Sequence, residues 1–168
     1  MEMNGLTINI IQDDDPESPR EWDNFGTMVC WHKRYDLGDK HNYKTPQDFY
    51  EAVGVDVVDL PLYLYDHSGI TMATSPFPCP WDSGQVGHIY VTYEKIQKEF
   101  GEVTHETMEK ARELLKAEVE AYDQYLTGEV YGFEIFGSDG ELLDSCWGYY
   151  EYEYAVESAQ GAARCLRV

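Results

Sequence analysis

One apolar stripe between Thr104 and Gly128 restricts the folds open to this chain more than any other feature. Its apolar residues recur at steps of three or four, which is the spacing of one helix face. They are Met108, Ala111, Leu115, Val119, Tyr122 and Leu126. Thr104 is a favourable N-cap, Gly128 is a favourable end, and the repeat is too short for a coiled coil. The sequence therefore predicts one long amphipathic helix, at about 104–126, with a charged outer face.

Much of the remaining chain has the alternation of strands, interrupted by turn residues. Strands are predicted at 6–10, 27–32, 57–65, 70–74, 88–92, 131–135 and 143–147. Shorter helices are predicted at 45–54, 93–100 and about 155–166, and a proline-rich loop at 75–85. Strands joined mainly by turns favour an α+β fold, in which helices pack on an antiparallel-rich sheet. The length suits a single globular domain over 1–168.

The chain carries 32 acidic and 12 basic residues, for a formal net charge of −20. Such a surface repels the phosphates of nucleic acids and anionic lipids, so we expect no direct binding of nucleic acid or membrane. It should attract basic protein surfaces instead. The four cysteines lie far apart, and the sequence has neither a signal-peptide pattern nor an apolar run of membrane-spanning length. These features predict a cytoplasmic protein with free and mostly buried thiols.

The acids are unevenly distributed along the sequence. From Glu129 to Glu157 there are eight acids and no Lys or Arg, and from Asp13 to Asp23 there are six acids against Arg20 alone. Carboxylates spaced like phosphates can occupy a basic nucleic-acid-binding channel and compete with nucleic acid. The acids expected on the outer face of the long helix are Glu106, Glu109, Glu113, Glu120 and Asp123. The predicted partner-binding residues are Asp13, Asp14, Asp15, Glu17, Glu113, Glu120, Asp139, Glu141, Glu151 and Glu153.

Several cysteines, histidines and aspartates invite a metal-binding or catalytic interpretation. They are Cys30, His32, Asp66, His67, Cys79, Asp82 and His88. Cys30 and His32 would share one face of the predicted strand, and with Cys79 and another histidine they would supply four zinc ligands. The same groups can instead form a thiol–imidazole nucleophile oriented by an aspartate. No CxxC or HxxxH pair accompanies them, and a thiolate needs an electropositive setting. We therefore expect no catalytic residues, no metal and no cofactor.

Five segments combine aromatic residues and glycines in a way that is unusual for ordinary core sequence. They are PREWDNFGTMVCWH (19–32), LPLYLYDHSGI (60–70), CPWDSGQVG (79–87), YDQYLTG (122–128) and SCWG (145–148). Together they resemble a family of uncharacterised acidic proteins from bacteriophages, prophages and other bacterial mobile elements. The resemblance spans most of the chain and implies a bacterial host cell as the setting, without any assigned activity. By analogy, small acidic phage proteins often antagonise restriction or CRISPR systems, and several mimic DNA.

Five residues of these segments allow two interpretations: Asp66, His67, Trp81, Asp82 and Ser83. In the first, tryptophan packing and glycine turns simply hold the loops on the sheet. In the second, these residues form one surface patch for a ligand or partner.

The sequence leaves three functions to distinguish. The first is a non-enzymatic antagonist of a host defence system, which binds a basic nucleic-acid-binding surface by DNA mimicry. The second is a small hydrolase that depends on a metal or on a Cys/His pair. The third is a structural or regulatory phage protein whose acidity serves only solubility. The base-free acidic stretches favour the first. The target and the oligomeric state, a homodimer included, are left open.

Overall fold

The structure, a computed structural model, describes residues 1–166. Its strands are β1 (Glu2–Met3), β2 (Leu6–Gln12), β3 (Thr27–Cys30), β4 (Val57–Asp66), β5 (Ile70–Ala73), β6 (Ser83–Thr92), β7 (Val130–Phe136) and β8 (Leu142–Tyr150). Its helices are α1 (Pro46–Val53), α2 (Tyr93–Phe100), α3 (His105–Thr127) and α4 (Tyr152–Cys165), and a short 3-10 helix covers Pro19–Glu21. The named strands pair antiparallel, which confirms the predicted α+β class.

The strands form two four-stranded sheets, with the orders β1-β2-β7-β8 and β3-β6-β4-β5. The chain divides into two compact units, each of which contains one of these sheets. Unit 1 comprises Met1–Ser18 and the chain from Gln124 onward, and unit 2 comprises Pro19–Asp123. The expectation of a single domain over 1–168 stays a prediction.

In unit 1, α4 covers one face of the sheet. The core cluster consists of Leu6, Ile8, Phe133, Ile135, Ala159 and Ala163. Thr7 and Asn9 alternate with the buried Leu6 and Ile8 and are exposed, as expected for a strand with one covered face. Small residues at helical spacing on α4 allow its backbone to lie close to the strands. The predicted packing of the last helix is confirmed.

In unit 2, α3 buries the stripe that the sequence predicted. Ala111, Leu115, Val119 and Tyr122 are buried. Leu115 approaches the sheet so closely that a Cβ on Gly26 would lie 2.3 Å from its Cδ2 atom. The burial of the stripe, rather than intrinsic helix propensity, supplies most of the stability of such a helix.

Strand β6 begins at Ser83, five residues before the predicted start at His88. The prediction was wrong because β6 contains glycines, which are typical of turns. Gly84 and Gly87 pair with β4 opposite Leu64 and Leu62. A Cβ on Gly87 would lie 2.0 Å from the carbonyl oxygen of Val29, so only glycine fits this approach of two strands. The glycines that predicted a loop therefore serve close strand pairing.

The predicted helix start at Thr45 is confirmed by a complete capping box. The Thr45 hydroxyl accepts a hydrogen bond from the Asp48 N–H, and the Asp48 carboxylate accepts one from the Thr45 N–H. Gly54 follows the helix as predicted. Pro61 lies within β4 opposite His88 of β6, on the part that precedes the pairing of Tyr63–Asp66 with β5, so β4 is paired on one side only at this residue.

No helix within residues 1–166 is long and apolar enough to cross a lipid bilayer. The four cysteines are free: Cys30 is buried, Cys79 is half-buried, and Cys146 and Cys165 are exposed. The expectation that most thiols would be buried is therefore wrong.

Candidate functional site

The acids of unit 1 are the most distinctive charged group of this molecule, and we call them the unit 1 carboxylates. They are Glu2, Asp13, Asp14, Asp15, Glu17, Glu129, Glu134, Asp139, Glu141, Asp144, Glu151, Glu153 and Glu157. Asp13 and Glu134 are half-buried and the others are exposed. Arg164 is the one Lys or Arg of unit 1 within the described chain, and none of these acids forms an ion pair with a residue of 1–166.

The acidic loop after β2 is held in place by its backbone. The Asp13 N–H donates to the Val130 carbonyl at 2.8 Å, and the Asp13 carboxylate accepts from the Asp15 N–H at 3.1 Å. Asp13 and Asp14 line a cavity of about 560 Å³ together with the last turn of α3, which carries no basic residue. Since the carbonyl end of a helix is also negative, this cavity favours a basic group.

A second group of unit 1 carboxylates surrounds the β7–β8 hairpin and the start of α4. Asp139 accepts a hydrogen bond from the Glu141 N–H at 3.1 Å, which orders the turn while both side chains remain exposed. Glu151 and Glu153 are exposed at the N-terminus of α4, where the helix dipole stabilises negative charge. These four predicted partner-binding residues are therefore accessible, and none of them forms an ion pair within residues 1–166.

Strand β8 is an exposed sheet edge, and its backbone geometry limits what can pair with it. Residues 142–148 are exposed, and Leu142, Leu143 and Trp147 are the large apolar side chains among them. The register with β7 shifts twice, so β8 is bulged on either side of Asp144–Cys146. Bulges of this kind protect an edge from adding another strand.

The acids of α3 differ from those of unit 1 because most of them are neutralised along the helix. Glu113 pairs with Lys116 at 2.8 Å, and similar pairs join Glu106 to Lys110 and Glu109 to Arg112. Glu120 is exposed and has no ion pair within residues 1–166. The predicted outer face of α3 is thus a mixed-charge surface rather than a row of bare carboxylates.

Asp123 does not lie on that outer face, and the expectation for this residue is wrong. Its carboxylate accepts hydrogen bonds from the Thr71 hydroxyl and the Met72 N–H, both at 2.7 Å. Asp123 is half-buried and fastens α3 to β5. Asp123 directly follows the buried Tyr122 and lies at the border between the buried and exposed faces of α3. The apolar spacing alone therefore does not predict to which face its carboxylate belongs.

The structure brings the five motif residues of unit 2 into one region, which we call the motif patch (Asp66, His67, Trp81, Asp82 and Ser83). The Asp66 N–H donates to the Asp82 carbonyl at 2.8 Å, and His67 Nδ1 lies 3.2 Å from Asp82 Oδ2. The Ser83 hydroxyl donates to the Cys79 carbonyl, and Asp66 forms an ion pair with Arg34. The patch holds the 75–82 loop on the sheet and leaves Trp81 at 91% exposure.

The motif patch does not have the geometry of a thiol nucleophile. Cys79 Sγ lies 4.0 Å from the same Asp82 oxygen that faces His67, so the carboxylate separates the thiol from the imidazole. Cys30 is buried, and burial raises the pKa of its thiol to about 12, with a further contribution from Asp39. His32 lies beyond the end of β3, contrary to the predicted strand over 27–32. Within residues 1–166, no three His, Cys, Asp or Glu side chains form a group suited to a metal.

His88 belongs to a different cluster from the one that sequence reasoning assigned to it. His88 is buried, its Nδ1 lies 3.2 Å from Asp59 Oδ2, and its Nε2 lies 2.7 Å from the Tyr50 hydroxyl and 3.2 Å from Gln85 Nε2. The hydrogen bond from His88 lowers the pKa of Asp59. The ring of His88 also stacks on Phe49, so the cluster connects α1 to β4 and β6. No sequence motif predicts this cluster, because its members come from three separate elements of the chain.

Arg20 forms a second buried network that the sequence did not reveal. Its side chain is 4% exposed and forms a bidentate pair with Asp39, through Nε and Nη2 at 2.8 Å. Its Nη1 lies 3.1 Å from Glu118, whose carboxylate also accepts from the N–H groups of Phe25 and Gly26. These contacts join the 3-10 helix, the β3 region and α3 within unit 2. This network serves structure, since every charged member has a partner.

No protein-family model, curated protein or solved structure matches this chain.

Proposed function

We propose that this protein is a non-enzymatic, acidic binding protein of a bacteriophage or mobile element. It acts in the cytoplasm of the bacterial host as an antagonist of a defence system of the restriction or CRISPR type. It occupies a basic nucleic-acid-binding surface of its target by presenting carboxylates in place of phosphates. The observation that carries the proposal is the set of unit 1 carboxylates, which are almost all exposed and have no ion pair in the described chain.

Leaving many acids of one unit unpaired costs electrostatic free energy. Like charges close together repel one another, and exposed ion pairs can relieve this repulsion, as they do on α3. In unit 1 the described chain supplies Arg164 as its one Lys or Arg. A basic partner would neutralise these carboxylates and so remove the repulsion on binding. The counterions bound in the partner's nucleic-acid-binding channel would be released at the same time. This gain favours a nucleic-acid-binding surface over a neutral one.

The hydrolase alternative has less support in the geometry. The residues it would use are divided between the motif patch, where Asp82 lies between Cys79 and His67, and the separate cluster of His88. No thiol–imidazole pair is formed within either group. The binding function therefore has more support than a hydrolase. The experiment must distinguish it from acidity that serves only solubility.

The test is affinity purification from a lysate of the host at low salt, followed by competition with DNA. We expect the protein to retain a nucleic-acid-handling enzyme or complex, and we expect added duplex DNA and added salt to release it. A partner that handles no nucleic acid, or one whose binding is indifferent to DNA, would contradict the proposal.

Two charge variants separate mimicry from general acidity. The unit 1 variant carries Asp13→Asn, Asp14→Asn, Asp15→Asn, Glu141→Gln, Glu151→Gln and Glu153→Gln. The matched unit 2 variant carries Asp23→Asn, Glu51→Gln, Asp56→Asn, Glu94→Gln, Glu99→Gln and Glu102→Gln. Eleven of the twelve side chains are exposed and Asp13 is half-buried, and each variant loses six negative charges. Equal binding by the two variants would assign the acidity to solubility.

A further inference from the structure

Trp81 is the most exposed large apolar side chain of the described chain, at 91%. The other tryptophan next to the patch behaves differently: Trp31 packs edge-on against His41 and Phe49 and donates its indole N–H to the Tyr43 carbonyl at 3.0 Å. No ring contact or cation contact engages Trp81 within residues 1–166. Burying a tryptophan is strongly favourable, and such side chains dominate binding interfaces. A tryptophan left this exposed therefore points to a partner.

The loop that carries Trp81 is held in a defined conformation. Pro78 and Pro80 restrict the backbone on either side of Cys79. The Ser83 hydroxyl donates to the Cys79 carbonyl, and the Asp66 N–H donates to the Asp82 carbonyl at 2.8 Å. The ring is thus presented from a backbone that is already ordered. Preorganisation of this kind reduces the entropy lost on binding.

The surroundings of Trp81 identify the chemistry of the group that would bind there. Trp81, Asp66 and Asp82 line a cavity of about 290 Å³. Asp66 already holds the guanidinium of Arg34, so a guanidinium is a group that this site accepts. The Asp82 carboxylate, which faces His67 Nδ1 at 3.2 Å, remains 42% exposed and lines this cavity with Trp81. An aromatic face next to a carboxylate is the arrangement that stacks and pairs with an arginine side chain.

We propose that Trp81 and Asp82 bind an arginine side chain of a basic partner protein, with the guanidinium stacked on the indole and paired with the carboxylate. The proposal rests on the proposed function for the basic character of the partner. Its residues lie in unit 2 and are separate from the unit 1 carboxylates. The net charge of −20 opposes the two other occupants that a bare tryptophan can attract, a nucleic-acid base and a second copy of this chain.

The test follows the indole N–H resonances by NMR while a short Arg-Gly repeat peptide or a Lys-Gly peptide of equal length is added. The Arg peptide should shift the Trp81 resonance and leave that of Trp31 in place. The Lys peptide, with the same charge, should shift it less, because an ammonium does not stack as a planar guanidinium does. Trp81→Ala should weaken Arg-peptide binding by about two- to fivefold, whereas Trp22→Ala, which removes another exposed tryptophan of unit 2, should not.

Two further variants make the test independent of folding defects. Asp82→Asn should weaken Arg-peptide binding, while Arg34→Ala should strengthen it, because the Asp66 carboxylate becomes available. Equal shifts with both peptides, or unchanged binding after Trp81→Ala, would overturn the proposal. So would a Trp81-dependent shift with single-stranded DNA in place of the peptides, or Trp81-dependent self-association. The unit 1 variant should keep the preference for arginine, so failure here and failure of the DNA-mimic proposal are distinguishable.

Discussion

The two units of this protein use acidic residues in opposite ways. Unit 1 contains thirteen acids and two bases in its sequence, and unit 2 contains nineteen acids and ten bases. Every ion pair found between residues of 1–166 lies in unit 2, on α3, around Arg20, in or beside the motif patch, or in the His88 cluster. Eight of the nineteen acids of unit 2 take part in these pairs. No acid of unit 1 forms an ion pair within residues 1–166, so ion pairing does not account for their concentration there.

The largest effect on stability should follow from removing the buried base of unit 2. Arg20→Ala leaves Asp39 and Glu118 without their cation, and breaking a buried network in this way costs about 3–5 kcal/mol. Urea denaturation measures the change in the free energy of unfolding. Arg164→Ala, the matched loss of a base in unit 1, should change it by less than about 0.5 kcal/mol, because Arg164 is exposed. Similar costs for the two substitutions would remove the contrast between the units.

A smaller effect should separate two glycines of β6 and so test how tightly the unit 2 sheet is built. Gly87→Ala should cost about 3 kcal/mol, because the new Cβ would collide with the backbone carbonyl of Val29. Gly84→Ala, in the same strand, meets no atom within 4 Å and should be nearly neutral. In unit 1, Gly132→Ala should cost less than Gly87→Ala, since its obstacle is the side chain of Trp147, which is 45% exposed and can move. A neutral Gly87→Ala would contradict the strand pairing.

The smallest of these effects concerns the pH dependence that the His88 cluster gives to unit 2. The pKa of Asp59 is lower in the folded chain than in the unfolded one, so its carboxylate contributes stability at pH values above the unfolded pKa, about 3.9. That contribution is lost as the pH falls through the folded pKa. Because Asp59 is more than a third exposed, screening limits it to about 1 kcal/mol or less. Asp59→Asn should flatten the acid limb of the stability curve, and an unchanged limb would assign it to other groups.

Local sequence signals predicted most of the secondary structure. The capping box at Thr45, the glycine after α2 and the stripe of α3 each act over a few residues, and each predicted helix is present. The start of β6 was missed because Gly84 and Gly87 have the chemistry of a turn. Only the approach of Val29, from another strand, shows why glycine is needed there.

Only those parts of the candidate sites that lie in one continuous stretch of sequence could be predicted. The sequence showed the base-free run from Glu129 to Glu157, and its side chains are mostly exposed. It did not show the contact of Arg20 with Glu118, because 98 positions separate them. It also gave no sign that β2 would pair with β7, because the whole of unit 2 lies between these two strands in the sequence. Long-range pairing depends on packing that no local pattern encodes.

The most direct test of the central claim is the salt dependence of binding to the nucleic-acid-handling target recovered from the host. The wild-type protein and the unit 2 variant should bind with similar affinity, and their affinity should fall steeply as salt rises. The unit 1 variant should bind at least about tenfold more weakly at low salt and show a shallower dependence on salt. Equal affinities and equal slopes for the two variants would contradict the claim that the unit 1 carboxylates form the binding surface.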